Sequence, residues 1–271
     1  MIGTIVNTAT VIIGSAAGLI LRAAVRGKPS PVVPSAVTGE ASDGPAASSA
    51  PFPVSGTVAP SFDIPPSPLP AIVLTGLGLA TLALGLKMAL EARQMLIVIL
   101  SMVLGGLAGQ VIGIEEALER LAEKLKRMTR SSEGTFVTGF VTASVLFCAG
   151  PMTILGSIQD GLQHDPKLLL IKSLMDGISS TILASTLGVG VIGSAVTVLV
   201  VQGVLTLLSA QLGFLTQARY LSDFTAVGGL IIIALGIRLT GIKDIKAGNL
   251  LPALVLVVLM VLAATKLGWI A

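Results

Sequence analysis

The run KSLMDGISS, residues 172–180, places a lysine, an aspartate and a serine four residues apart, at Lys172, Asp176 and Ser180, inside an otherwise apolar stretch. Residues four apart share one face of a helix, so Lys172 can pair with Asp176 and Ser180 extends the same polar face. If the helix begins near Leu168, Asp176 lies about 12 Å along it at 1.5 Å per residue, within a hydrocarbon layer. A charged side chain at that depth costs at least about 2.5–3.5 kcal/mol unless it is paired, protonated or hydrated. Two readings follow and stay open: an ion pair that fixes helix packing, and a polar lining for an ion or solute path. The second draws in other polar residues of apolar runs: Asn7, Thr8, Thr142, Ser144, Gln159, Gln202 and Asn249. Asp160 joins them at the interface. Asp160, His164, Asp165 and Lys167 together fit a short extracytoplasmic turn, where charges need no function.

A second chemical feature is LFCAGPMTILG, in which Gly150 and Pro151 interrupt a long apolar run. Proline removes an amide and clashes with the carbonyl four residues back, that of Phe147, so a kink or break is expected there. Carbonyls freed in this way persist in a membrane only where protein or water satisfies them. The break either shapes packing or builds a site. No Ser/His arrangement, metal cluster or Gly-rich phosphate loop is present, and an enzyme is not expected; nor is a cofactor or metal. Cys148 sits in the same apolar run and reads as a small buried thiol.

The elements that must position these residues are membrane-spanning helices. Hydrophobic residues make up 53% of the 271 and charged residues only 11%, with a mean hydropathy of +0.95. Hydrocarbon about 30 Å thick needs roughly 20 mainly apolar residues per crossing. Runs of that kind occupy residues 2–21, 71–90, 95–114, 135–157, 168–188, 190–210, 224–241 and 249–268. The fold class is therefore an all-α transmembrane bundle of about eight spans; seven spans with one re-entrant piece is the alternative, because the fifth and sixth runs touch. No Lys or Arg precedes Arg22, so the first run reads as a retained span. With the N-terminus outside, 11 of the 17 basic residues face the cytoplasm, among them Arg22, Arg120, Arg127, Arg238 and Lys246. The positive-inside rule then favours both termini outside. The net charge of +3 is spent in these connections, so nucleic acid is not an expected partner; the lipid bilayer and a small solute or ion are. A homo-oligomer is compatible with this reading.

One membrane domain, residues 1–271, accounts for the chain, with one atypical connection. Residues 27–70 hold 11 of the 14 prolines among small and polar residues, a composition that forms neither ladder nor core and reads as a disordered cytoplasmic linker. Residues 115–130, EEALERLAEKLKRMTR, carry Leu118, Leu121, Leu125 and Met128 at helical spacing, acids first and bases last, and read as an amphipathic helix on the membrane surface. Spacings of four between Gly14 and Gly18, and among Gly105, Gly109 and Gly113, mark close helix packing. TGLGLATLALGLKMA from Thr75 and TAVGGLIIIALGIRLTG from Thr225 match approximately, aligning Gly78 with Gly229 and Gly85 with Gly236. The two copies run in opposite directions in the proposed topology, as in the inverted repeats of secondary transporters.

The blocks MIGTIVNTATVIIGS, GFVTASVLFCAGPMTILGSIQDGL, KSLMDGISSTILASTLGVGV and GIKDIKAGNLLPAL together resemble the YqgA/YdfK-type family of bacterial multi-spanning membrane proteins, a domain of unknown function. The resemblance covers nearly the whole chain outside residues 27–70. It implies a bacterial inner (cytoplasmic) membrane protein of transporter type, and it brings no substrate or catalytic residues to carry over. The expectation is thus a secondary transporter or ion-translocating protein, against the alternative of a membrane scaffold or regulatory protein without transport activity.

Overall fold

The computed structural model describes residues 1–26 and 68–269, and among them every regular element is a helix. In chain order these are α1 (Ile2–Arg26), α2 (Pro68–Ala89), α3 (Met95–Ile112), α4 (Ile114–Met128), α5 (Phe136–Cys148), α6 (Pro151–Leu162), α7 (Lys167–Leu187), α8 (Gly190–Leu207), the short α9 (Ser209–Leu212), α10 (Ala218–Leu239) and α11 (Pro252–Lys266). The linker expected at 27–70 lies outside the described residues, except that α2 already begins at Pro68.

Among the described residues seven helices are each long and apolar enough to cross a membrane, and α5 with α6 passes the same test as a pair bent by 61°. The fourth span expected at 135–157 is therefore two helices, and it runs on to Leu162. Its second half opens as the sequence dictates: Gly150 is extended and Pro151 takes the first helical position, where it has no intrahelical bond to lose. The Phe147 carbonyl freed by the break accepts a hydrogen bond from the Thr153 hydroxyl at 2.9 Å.

Glycine determines which helices pair. Gly3, Gly14 and Gly18 of α1 face Leu169, then Gly177 and Ser180, then Thr181 and Ala184 of α7, so the two helices run parallel. Helices that alternate in direction can be parallel only if an odd number of crossings separates them. Among the described residues α2, α3 and the bent pair stand between α1 and α7, so α5 and α6 together count as one crossing, which gives eight among those residues. Gly188 reverses the chain from α7 into α8 with φ +84°, a conformation that a side chain rarely adopts, and a Cβ there would overlap Glu133 and Arg22. Those two residues form a staple. Arg22 Nη1 pairs with Glu133 Oε1 at 2.8 Å, and Glu133 Oε2 accepts the Val189 amide at 2.8 Å.

The matched segments of the sequence meet face to face. Gly78 of α2 packs on Gly236 of α10, and Gly85 of α2 packs on Gly229 of α10. Each glycine thus contacts the counterpart of the other, which is the contact rule of a two-fold axis between antiparallel helices. Outside this pair, Gly105 and Gly109 of α3 lie against the backbone of Ala253 and Asn249.

Helix α4 is amphipathic, and its apolar side rests on protein. Glu115, Leu118, Ala122 and Leu125 face inward, Glu115 and Ala122 fully buried, while Leu121 and Met128 of the expected stripe are exposed.

Candidate functional site

Helices α1, α6, α7 and α8 converge at the end of the bundle that holds Met1. Leu169 of α7 fills the space above Gly3 of α1 and Gly156 of α6, which draws the three helices together. Thr4 of α1 and Thr206 of α8 share a hydrogen bond at 3.2 Å. Because α1 and α8 are antiparallel, moving inward from that bond by three residues on α1 and four on α8 reaches Asn7 and Gln202. These steps are about 4.5 and 6 Å, so the two amides lie at nearly the same depth.

Asp176 stands at this level on α7. Lys172 pairs with it through Nζ to Oδ2, and the Asn7 amide donates to the same oxygen at 3.0 Å. The pair is enclosed: Lys172 is 5% and Asp176 7% exposed, and Asn7 is fully buried. The Lys172 ammonium also lies 6.0 Å from the centre of the Phe147 ring, one turn before the helix break. A cation over an aromatic face is attracted by the ring quadrupole, so the break, the ring and the ion pair form one unit.

Several buried polar atoms around the unit have no partner: Asn7 Oδ1, both side-chain atoms of Gln202, Ser157 Oγ of α6, Thr142 Oγ1 of α5 and Ser15 Oγ of α1. Asn7 and Ser15 lie about 12 Å apart along α1. On α1, then, the unpartnered groups occupy two separate levels rather than one.

Other expected site residues resolve differently. Asp160 does not sit in a solvated turn: α6 continues to Leu162, so Asp160 is 2% exposed, and its Oδ2 pairs with the Met1 ammonium at 2.9 Å. His164 is exposed in the turn, and the exposed Lys167, first residue of α7, holds the Asp165 carboxyl below the usual carboxylate range through its backbone and side-chain hydrogen bonds. Gln159 is half-buried on α6. Ser180 returns its hydroxyl to the Gly177 carbonyl at 2.9 Å, and Thr8 bonds back to Thr4 O, so both serve their own helices. Ser144 joins α5 to α8 through Thr197 at 3.0 Å. Asn249 belongs elsewhere, between the Glu115 amide and Gln110.

That second network was not anticipated. Glu115 is wholly buried, with Oε1 2.7 Å from Arg238 Nη1 and Oε2 accepting the Gly248 amide at 2.7 Å. Arg238, expected among the solvent-facing bases, is 7% exposed and also reaches Asp244 at 2.9 Å. The available signal was register: Glu115 lies three residues before Leu118, on the inward stripe of α4 rather than its charged face. Nearby, Lys246 holds the exposed Glu116 carboxyl below its usual range by a direct hydrogen bond. At the opposite end of the bundle, Asp223 is buried and caps the α2–α3 turn, accepting the Arg93 and Gln94 amides at 2.7 and 2.9 Å.

A family described as "Protein of unknown function (DUF554)" matches residues 65–262 of this chain, most of its length. The chain belongs to this family. It is 33% identical over 199 residues to "Uncharacterized protein YqgA" of Escherichia coli (strain K12), covering 72% of this chain and 84% of that one. It is 32% identical over 189 residues to "Uncharacterized membrane protein YdfK" of Bacillus subtilis (strain 168), covering 68% of this chain and 80% of that one. No solved structure matches. The family segment includes the helix break, Lys172, Asp176 and Gln202, whereas α1 with Asn7 precedes it.

Proposed function

We propose that this member of the family is a secondary transporter or ion-translocating protein of the bacterial cytoplasmic membrane, with both termini outside and its path running past Asp176. The observation that carries the reading is the enclosed Lys172–Asp176 ion pair inside a bundle that also buries unpartnered polar atoms on α1, α5, α6 and α8. An unpaired polar atom in an apolar interior costs free energy that an apolar side chain of similar volume avoids. Along a path, the same atoms are partners for water or for a passing ion.

Two further features support it. A broken helix beside the charged pair is a recurring way to build a transporter site, and a bundle with an inverted repeat supplies halves that can rock against each other. The α2–α10 contact through Gly78, Gly85, Gly229 and Gly236 has that symmetry and brings two smooth surfaces together. Ion or solute flux into liposomes containing the purified protein tests the proposal. Flux above that of empty liposomes, in a panel of protons, alkali cations, amino acids and sugars, is the expected result. No flux across the panel, from protein that melts cooperatively, contradicts it and leaves a scaffold role.

A further inference from the structure

Asp176 carries one negative charge, and Lys172 already neutralises it. Any ion that reaches Asp176 must therefore displace a charge or add one to a buried site. An additional uncompensated charge is strongly disfavoured there, even after relaxation. The pair thus constrains what can bind.

The groups around the pair favour a cation over an anion. The Asn7 amide nitrogen is committed to Asp176, which leaves Asn7 Oδ1 as an unpartnered acceptor beside the carboxylate. Gln202, whose backbone lies at nearly the same level on α8 as that of Asn7 on α1, also has an unpartnered Oε1. The Phe147 ring presents its face to the ammonium, a surface that attracts cations and repels anions. The other ionisable groups on the helices packed against α7 are Asp160 on α6, already paired with the Met1 ammonium, the Cys148 thiol at the end of α5, Arg22 and Arg26 in the far end of α1, with Arg22 held by Glu133, and Lys87, exposed in the last turn of α2. Among the described residues of α8, no ionisable side chain is present.

We propose that the Lys172–Asp176 pair is a proton-exchanging site for a monovalent metal cation, which deepens the transport reading and rests on it. The cation takes the place of the ammonium on the Asp176 carboxylate, with Asn7 Oδ1 and Gln202 Oε1 as neutral oxygen donors. Lys172 gives one proton to solvent and remains as a neutral amine. One positive charge enters and one leaves, so the buried site stays neutral throughout. A lysine suits this exchange because an ammonium gives up its proton readily once buried without a partner; an arginine does not. On release, the amine takes a proton and returns to Asp176.

The test is proton release from purified protein in weakly buffered detergent, followed with a pH indicator as NaCl, KCl or LiCl is added against a choline chloride control. The expected result is about one proton released per protein with at least one of the three cations. Its apparent affinity should rise about tenfold per pH unit while Lys172 begins protonated, the slope required by one proton exchanged per cation. Lys172→Arg keeps the charge pair but cannot deprotonate, so it should melt like the wild type and lose the cation-linked release. The double variant Lys172→Met with Asp176→Asn should lose it too, and serves if the arginine does not fit. No proton release from wild-type protein with any of the three cations overturns the exchange site. So does undiminished release from either variant. Flux in liposomes without cation-linked proton release would keep the transport reading and overturn this one, whereas absence of all flux would overturn the transport reading itself.

Discussion

Substituting Glu115 with leucine tests whether the buried network at the α4 end of the bundle holds the fold. The carboxylate bonds Arg238 at 2.7 Å and the Gly248 amide at 2.7 Å, and nothing else in the network replaces it. Breaking a buried pair by removing one partner costs roughly 3–5 kcal/mol, because the remaining charge is stranded. Arg238 keeps Asp244, which is 47% exposed and so a weaker partner, and the expected loss is at the lower end, about 3 kcal/mol. For a chain of this size each kcal/mol moves the midpoint by about 2–4 °C, which predicts a fall of roughly 6–12 °C in detergent. Adding Arg238→Met removes the stranded charge, and most of the loss should return. That recovery is the coupling a double-mutant cycle measures. Glu123→Ala, on the exposed face of the same helix, should move the midpoint little. A Glu115→Leu protein melting within a degree or two of wild type would refute the reasoning, as would a double variant no better than the single one.

Glycine contacts give a paired prediction: Gly109→Ala drives a methyl into the Asn249 carbonyl and should cost about 1–3 kcal/mol or block folding, while Gly76→Ala meets nothing within 4 Å and should be neutral by thermal melting. Thr153→Val removes the hydroxyl that donates to the freed Phe147 carbonyl and should destabilise by about 1–3 kcal/mol, with Thr153→Ser restoring most of it. An eight-crossing bundle with excess basic charge at the Arg22 end should keep a C-terminal reporter that works only in the cytoplasm silent. A bright reporter would contradict that orientation.

The spans were legible because length and apolarity alone define them, and so was the glycine repeat shared by α2 and α10, but not that its two copies pack on each other, which only the tertiary structure decides. Pro151 announced the break, but not that the helix would restart at once and carry Asp160 inward. Local charge density around Gln163–Lys167 suggested a turn beginning earlier, and only the packing of α6 on α8, where Gly161 admits Ser209 and Thr206, decides where it ends. The Lys172–Asp176 pair followed from four-residue spacing on one helix. Its third member, Asn7, lies 169 positions away from Asp176, and no local rule connects them. Glu115 and Arg238 were read as surface charges for the same reason: each is charged near the end of a helix, and only their partners, brought together by tertiary structure, reveal them as buried. Ser180 shows the opposite error, since its position suggests a path while its hydroxyl serves the local backbone.

The central claim is that Asp176 serves transport rather than packing alone. Asp176→Asn by itself strands Lys172, so the decisive protein is the double variant with Lys172→Met, which leaves no buried charge at the pair. Reconstituted beside wild type in liposomes, with melting measured on the same preparations, it should fold like the wild type and carry no flux. Full flux through a double variant that melts normally would contradict the account.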